Sequence, residues 1–148
     1  MSWYLDSSAI LKTIFDEKER PELLRVLATQ STSSRLSRVE VRRTVARLAP
    51  TKVSEVNREL EKINFLPISD AILLVAENFS PDITLRALDA IHVATVMSLE
   101  GSIEGLITYD KQMVTNAQLL GIKVIFIIII IIGVFSLGYY IGKKDARE

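Results

Sequence analysis

Four acidic side chains follow strand-like or helical stretches in a pattern that could bring their carboxylates together. Asp6 ends the apolar run WYL, and Asp110 follows the strand-like stretch GLIT. Glu40 and Asp89 fall in the early turns of helical stretches. Ligands of open α/β sheets bind outside the carboxyl ends of the strands, so we predict that these four acids converge at one edge of a sheet.

Four carboxylates in one place would need a counterion. Clustered anions repel one another and raise one another's pKa unless a cation neutralises them. Mg²⁺ and Mn²⁺, hard ions that take oxygen ligands, suit such a site. The chain has no cysteine and a single histidine, His92, which excludes thiolate nucleophiles, thiolate zinc sites and multi-histidine metal sites.

Three of these acids also have a purely structural explanation. Asp6 and Asp110 each precede a helical stretch, where an aspartate side chain commonly accepts hydrogen bonds from the first turn. Glu40 lies at helical spacing from Arg43 and Arg47, and such pairs are often ordinary surface ion pairs. Taken one at a time, the structural and the chemical explanations both stay open.

The stretch TLRALDAIHVATVMSLE is apolar nearly all round its helical wheel, which predicts a buried central helix. Asp89 lies in its second turn, where a buried carboxylate has to be paired, protonated or bound to a metal. His92 follows three residues later, and we interpret it as a packed, hydrogen-bonded histidine rather than a catalytic one.

Strands and helices are predicted to alternate, which indicates a parallel sheet covered on both faces. The predicted strands are 2–5, 31–34, 65–68, 105–108 and 122–125, and the predicted helices are 8–16, 20–29, 36–48, 52–63, 70–79, 84–100 and 111–120. A length of 148 residues with 49% hydrophobic residues fits one globular domain. Basic and acidic residues balance at 18 each, so any nucleic-acid binding has to be local.

Four segments resemble the motifs of PIN-domain ribonucleases, in particular the VapC-type toxins of toxin–antitoxin pairs. They are YLDSSAIL, SRVEVRRT, LRALDAIHVATV, and LITYDKQM followed by AQLLGIKVI, and they cover about residues 2–125. The resemblance implies an α/β three-layer sandwich with a central parallel sheet, and Mg²⁺- or Mn²⁺-dependent endonucleolytic cleavage of RNA by metal-activated water. Asp6, Glu40, Asp89 and Asp110 match the family's catalytic and metal-binding acids.

The same resemblance implies roles for other side chains and for partners. Ser8 and Thr108 match hydroxyl positions that support the acids, and Arg86 matches a residue that could contact substrate. Some of the five arginines on the stretch around Glu40 could bind RNA phosphates, and Arg38 and Arg42 are the candidates we select; a solvated or antitoxin-binding face is the alternative. The five are Arg35, Arg38, Arg42, Arg43 and Arg47. The implied partners are an RNA substrate, a small antitoxin protein and a second copy of the chain.

Two other functions are weighed against this one. A haloacid-dehalogenase-type phosphatase also begins with an aspartate at the end of its first strand, but it needs a second aspartate where this chain has Ser8. A non-catalytic PIN-like module that only binds a partner has no need of four intact acids.

The resemblance does not account for the segment after the last predicted strand. Residues 124–142 carry no charge, and as a helix they would span about 28 Å, close to the roughly 30 Å of a bilayer's hydrocarbon core. Either this segment is a membrane anchor, or it is a prolonged strand followed by a buried or foreign tail. We therefore expect a PIN-like nuclease domain at 1–125, a hydrophobic tail at 126–148, and a cytoplasmic protein with or without a membrane anchor.

Overall fold

The computed structural model describes residues 2–15, 30–126 and 139–140. The strands are β1 (Ser2–Leu5), β2 (Ser31–Ser34), β3 (Ile63–Leu66), β4 (Ile103–Thr108), β5 (Val124–Phe126) and β6 (Tyr139–Tyr140). The helices are α1 (Ser7–Phe15), α2 (Arg35–Leu48), α3 (Val53–Leu60), α4 (Asp70–Glu77), α5 (Ala87–Ser98) and α6 (Lys111–Leu119), with a 3₁₀ turn at Pro50–Lys52.

The strands form one sheet in the order β3-β2-β1-β4-β5-β6. Strands β1 to β5 are parallel, and only β6 runs antiparallel to its neighbour. The first strand therefore lies in the middle of the sheet, between β2 and β4, which explains why Trp3, Tyr4 and Leu5 are all buried. The predicted parallel sheet is confirmed.

Side chains of the central strands alternate between two apolar layers, as the period of two in a strand requires. Trp3 and Leu5 of β1 pack in one core cluster, together with residues of α1, α2 and α3. Tyr4 of β1 packs in the other, against residues of α5 and α6 such as Val93 and Met113. Helices thus cover both faces of the sheet, and the chain is a three-layer α/β sandwich.

Two predicted strands are shifted in the structure for identifiable reasons. Strand β3 ends at Leu66 rather than at residue 68, because Pro67 has no N–H to donate to the sheet. Strand β5 begins at Val124 rather than at residue 122. The N–H of Ile122 donates to the carbonyl oxygen of Ala117 at 2.9 Å at the end of α6, so it does not pair with a neighbouring strand. The helix predicted at 20–29 lies outside the described residues.

The hydrophobic tail predicted at 126–148 also lies mostly outside the described residues. At its two described ends the segment 124–142 is extended: β5 covers Val124–Phe126, and Tyr139–Tyr140 pair with it as β6. Among the helices of the described ranges, none is long and apolar enough to cross a bilayer. A separate tail domain stays a prediction.

Candidate active site

The carboxylate of Asp6 lies at the carboxyl end of β1 and is almost completely buried, with 3% of the residue exposed. Its Oδ1 accepts hydrogen bonds from the Ser8 hydroxyl at 2.6 Å and the Ala9 N–H at 2.9 Å. Its Oδ2 accepts one from the Thr108 hydroxyl at 2.6 Å. The bond from Ala9 caps α1, as the structural explanation of Asp6 predicts. Helix capping does not account for the two hydrogen bonds from hydroxyl groups.

Ser8 in the first turn of α1 and Thr108 at the end of β4 are linked through Asp6. Each hydroxyl donates to Asp6 and accepts a backbone N–H from the two residues between β4 and α6. Ser8 Oγ accepts from Tyr109 at 3.1 Å, and Thr108 Oγ1 accepts from Asp110 at 3.0 Å. The two hydroxyls therefore fix the carboxyl ends of two adjacent strands around one carboxylate.

Asp110 follows β4 and caps α6. Its Oδ1 accepts hydrogen bonds from the N–H groups of Gln112 at 2.9 Å and Met113 at 3.3 Å. Within the described part of the chain, its Oδ2 receives no hydrogen bond, so that oxygen is available to a ligand. As with Asp6, helix capping uses only part of the carboxylate.

Glu40 projects from α2, a helix that begins after Ser34, whose hydroxyl accepts the N–H of Leu36 at 3.0 Å. The Glu40 Oε1 lies 2.7 Å from Nε2 of His92 on α5. The other ring nitrogen, Nδ1, lies 2.8 Å from the hydroxyl of Tyr4 on β1. We call this Tyr4–His92–Glu40 chain the histidine relay. His92 is packed and hydrogen-bonded as predicted, but its partner is one of the four acids.

Asp89 is half-buried in the first turn of α5, and its surroundings raise its pKa. Burial is the largest cause, and the negative charge of Asp110 is the next. Asp6 and Glu40 raise the pKa of Asp89 further, whereas His92 lowers it. Burial also raises the pKa of Asp6, against the opposing effects of His92 and of its three hydrogen bonds. The acids from β1, α2, α5 and β4 thus share one electrostatic environment.

The chemistry of these oxygens fits a hard divalent cation. An ionised carboxylate offers about four lone-pair sites, and Asp6 uses three of them. In the parts of the chain that the structure covers, no three acidic or histidine side chains already surround one ion position. Helix capping holds Asp110 and the bond from His92 holds Glu40, and each of these carboxylates keeps one oxygen that receives no hydrogen bond within the described residues. The donor set therefore fits a cation, while its coordination geometry is not formed.

Arg38 and Arg42, two of the three predicted substrate-binding arginines, fall on the opposite side of α2 from Glu40. Buried Ser37, Val41 and Val45 define the core-facing stripe of α2. With 3.6 residues per turn, Glu40 falls on one side of this stripe, and Arg38 and Arg42 fall on the other.

Both of those arginines are used within the fold. Arg42 Nη1 donates to Asn57 Oδ1 at 2.7 Å, and the Arg38 guanidinium lies 5.8 Å from the ring centre of Phe65. Arg86 is exposed immediately before α5, three residues from Asp89.

The sequence interpretation missed Tyr4 and did not distinguish among the arginines of α2. Tyr4 was taken only as a buried strand residue, although the strand period places it on the same side as Asp6. Arg43 and Arg47 were considered for RNA binding only as two of five arginines on this helix; they are exposed and fall within about 60° of Glu40 around the axis of α2. Helical periodicity could have separated them from Arg38 and Arg42, had the core-facing stripe been identified.

Comparison with known proteins gives a consistent result. The sequence profile of the PIN domain matches residues 3–119. Ribonuclease VapC47 of Mycobacterium tuberculosis (strain CDC 1551 / Oshkosh) is 33% identical over 125 residues, which cover 80% of this chain and 91% of the relative. Ribonuclease VapC46 of Mycobacterium tuberculosis (strain ATCC 25618 / H37Rv) is 38% identical over 124 residues, covering 82% and 95%.

A solved toxin–antitoxin complex from Klebsiella pneumoniae contains a chain with a similar fold. The TM-score is 0.63 at 20% sequence identity, and the alignment covers 72% of this chain and 85% of the other. At that identity the likeness supports the fold alone, and it agrees with the three-layer sandwich described above.

Proposed function

Because this chain belongs to the PIN-domain family, we propose that it is a metal-dependent endoribonuclease, the toxin of a toxin–antitoxin pair. The relatives that are 33% and 38% identical are named ribonucleases. The observation that carries the proposal is the shared environment of four acids from four separate elements, seen in the raised pKa of Asp89. Surface ion pairs and helix caps alone give no reason for such convergence.

Asp6, Glu40, Asp89 and Asp110 are the residues that we propose to hold Mg²⁺ or Mn²⁺. When bound, such an ion activates water for attack on phosphorus and stabilises the leaving oxygen. Ser8 and Thr108 keep Asp6 in one orientation, because each donates to a different oxygen of its carboxylate. Asp110 is oriented by the first turn of α6, and Glu40 by His92.

Metal-dependent cleavage is tested directly with purified full-length protein and total RNA. We expect cleavage with Mg²⁺ or Mn²⁺ and none once a chelator is added. Cleavage that persists in chelator contradicts the metal dependence. A folded protein that binds RNA and antitoxin but never cleaves would favour the second candidate, a non-catalytic PIN-like module.

We propose that the RNA backbone follows the arginines on the Glu40 side of α2 rather than those on the opposite side. Arg43 and Arg47 are exposed and about one helical turn apart, roughly 6 Å along the axis. Arg86 is exposed beside Asp89 and is proposed to contact RNA from α5. Arg38 and Arg42 are retained as structural residues, since each already has a partner within the fold.

Replacing both Arg43 and Arg47 by Ala should weaken RNA binding and reduce its salt dependence. Each lost phosphate contact lowers the slope of log K against log salt concentration by about 0.7 for a single strand, so the pair should lower it by about 1.4. Fluorescence anisotropy of a labelled single-stranded RNA in chelator measures the slope without cleavage. The double variant Arg35→Ala/Arg58→Ala removes the same charge from exposed positions elsewhere, and an equal change of slope there would refute the proposed path.

The proposed partners are a small antitoxin protein and a second copy of the chain. The structurally similar chain in the Klebsiella pneumoniae complex was solved with an antitoxin, which supports the first of these. A reading frame next to the gene for this chain should encode a short protein that co-purifies with it and inhibits cleavage. A gene with no such neighbour would favour a housekeeping nuclease.

A further inference from the structure

His92 is the one histidine of the chain, and both of its ring nitrogens are engaged. Its side chain is 2% exposed, whereas the Glu40 side chain is 25% exposed. The ring also meets the ring of Tyr4 edge to face, with the centroids 6.1 Å apart. The histidine relay therefore runs from the interior of the sheet to an acid at the edge of the site.

The partners of His92 show that its Nε2 carries a proton. An ionised carboxylate only accepts hydrogen bonds, so Nε2 of His92 donates to Glu40. Burial strongly raises the pKa of Tyr4, which keeps its hydroxyl proton available. Nδ1 shares a hydrogen bond with the Tyr4 hydroxyl, so the ring is held at both of its nitrogens.

Among the described residues, the hydrogen bond from His92 is the only one that the Glu40 side chain receives. Glu40 lies beside the core-facing stripe of α2, not within it, and only its Oε1 receives a hydrogen bond in the ranges that the structure covers. With Oε1 held by His92, Oε2 is left for a cation. Hydrogen-bond partners of ligating carboxylates fix their orientation, and losing such a partner typically costs about 10–100-fold in metal affinity or activity.

We propose that His92 is a positioning residue that orients Glu40 for a divalent cation, with the Tyr4 hydroxyl fixing the orientation of the imidazole ring. The proposal rests on the proposed function, because it takes Glu40 as a metal ligand. It adds that α2 is linked to α5 and β1 through the relay, which fixes Oε1 of Glu40 and leaves Oε2 for the ion.

The test is a double-mutant cycle on Mn²⁺ binding by the full-length protein, followed by the electron paramagnetic resonance signal of free Mn²⁺. His92→Leu removes the donor and should weaken Mn²⁺ binding by about 10–100-fold. His92→Gln keeps an N–H donor near the position of Nε2 and should restore most of the affinity. In a Glu40→Gln background, His92→Leu should cause no further loss, because the histidine acts through Glu40.

Wild-type affinity in a folded His92→Leu variant overturns the proposal, and so does an equal loss with and without Glu40. Should His92→Leu fail to fold, Tyr4→Phe replaces it in the same cycle, with a several-fold loss expected only when Glu40 is present. A wild-type chain that binds no Mn²⁺ overturns the proposed function together with this inference. Tight wild-type binding that is unaffected by changes at His92 and Tyr4 overturns the inference alone.

Discussion

Asp89→Asn is expected to abolish RNA cleavage while leaving the metal-free protein as stable as the wild type or more stable. The substitution removes a proposed metal ligand, so the loss of activity should exceed the roughly 100-fold upper cost of losing an outer-shell partner. The stability should not fall, because burial and three negative neighbours already disfavour the charged form of Asp89. The site is partly open to solvent, so the gain in melting temperature should be modest, about 2–4 °C, which corresponds to about 1 kcal/mol in a domain of this size.

The matched control is Asp70→Asn, since Asp70 is an exposed aspartate in the first turn of α4. Cleavage of RNA should be unaffected by it. Both variants are compared by thermal unfolding in chelator and by cleavage in Mg²⁺ and Mn²⁺. An Asp89→Asn protein that retains most of its activity, or that unfolds at a much lower temperature than the wild type, would contradict the proposed site.

Thr108→Val is expected to cause the largest loss of stability of the changes considered. It preserves the shape of a fully buried side chain but removes the donor to Asp6 and the acceptor for the Asp110 N–H. Because the lost bond at Asp6 serves a buried charged group, the free energy of unfolding should fall by about 3 kcal/mol, or about 6–12 °C in melting temperature. RNA cleavage should fall by about 10–100-fold, since Asp6 loses the bond that orients its Oδ2.

Thr95→Val is the control for this change. Thr95 is as deeply buried as Thr108, but its hydroxyl donates only to the carbonyl of Ile91 one turn earlier in α5, at 2.7 Å. Such back-bonding contributes little to helix stability, so this variant should lose less than about 1 kcal/mol and keep its activity. Urea unfolding in metal-free buffer separates the two variants. Equal losses of stability would show that the Thr108 hydroxyl has no special role at Asp6.

The fold follows from local patterns in the sequence more fully than the site does. Alternating strands and helices predict the parallel sheet, and the buried run before Asp6 predicts a central strand. The order of the strands is not predictable in this way, because pairing of β1 with β4 depends on contacts between residues about a hundred positions apart. Pro67 shows that a local signal was also misread, since proline marks the end of β3 and not its interior.

In the site, the neighbouring positions of Asp6 and Asp110 are predictable from the strand ends, because parallel strands bring their carboxyl ends to one edge of the sheet. The supporting hydroxyls Ser8 and Thr108 came from the family resemblance and not from any local pattern. The bond between His92 and Glu40 joins residues 52 positions apart on two helices, and helical periodicity within one helix carries no information about it. Only the three-dimensional fold, which brings these two side chains together at one edge of the sheet, reveals that contact.

The central place of the first strand has a consequence for the chain during its synthesis. Asp6 leaves the ribosome before the hydroxyl that holds its Oδ2, which comes 102 residues later, and β4 pairs directly with β1. At a translation rate of about 5–20 residues per second, Asp6 waits about 5–20 seconds for that partner. Throughout this interval a nascent chain lacks Thr108, Asp110 and the pairing of β4 with β1, so the proposed acid cluster assembles only once β4 has been made.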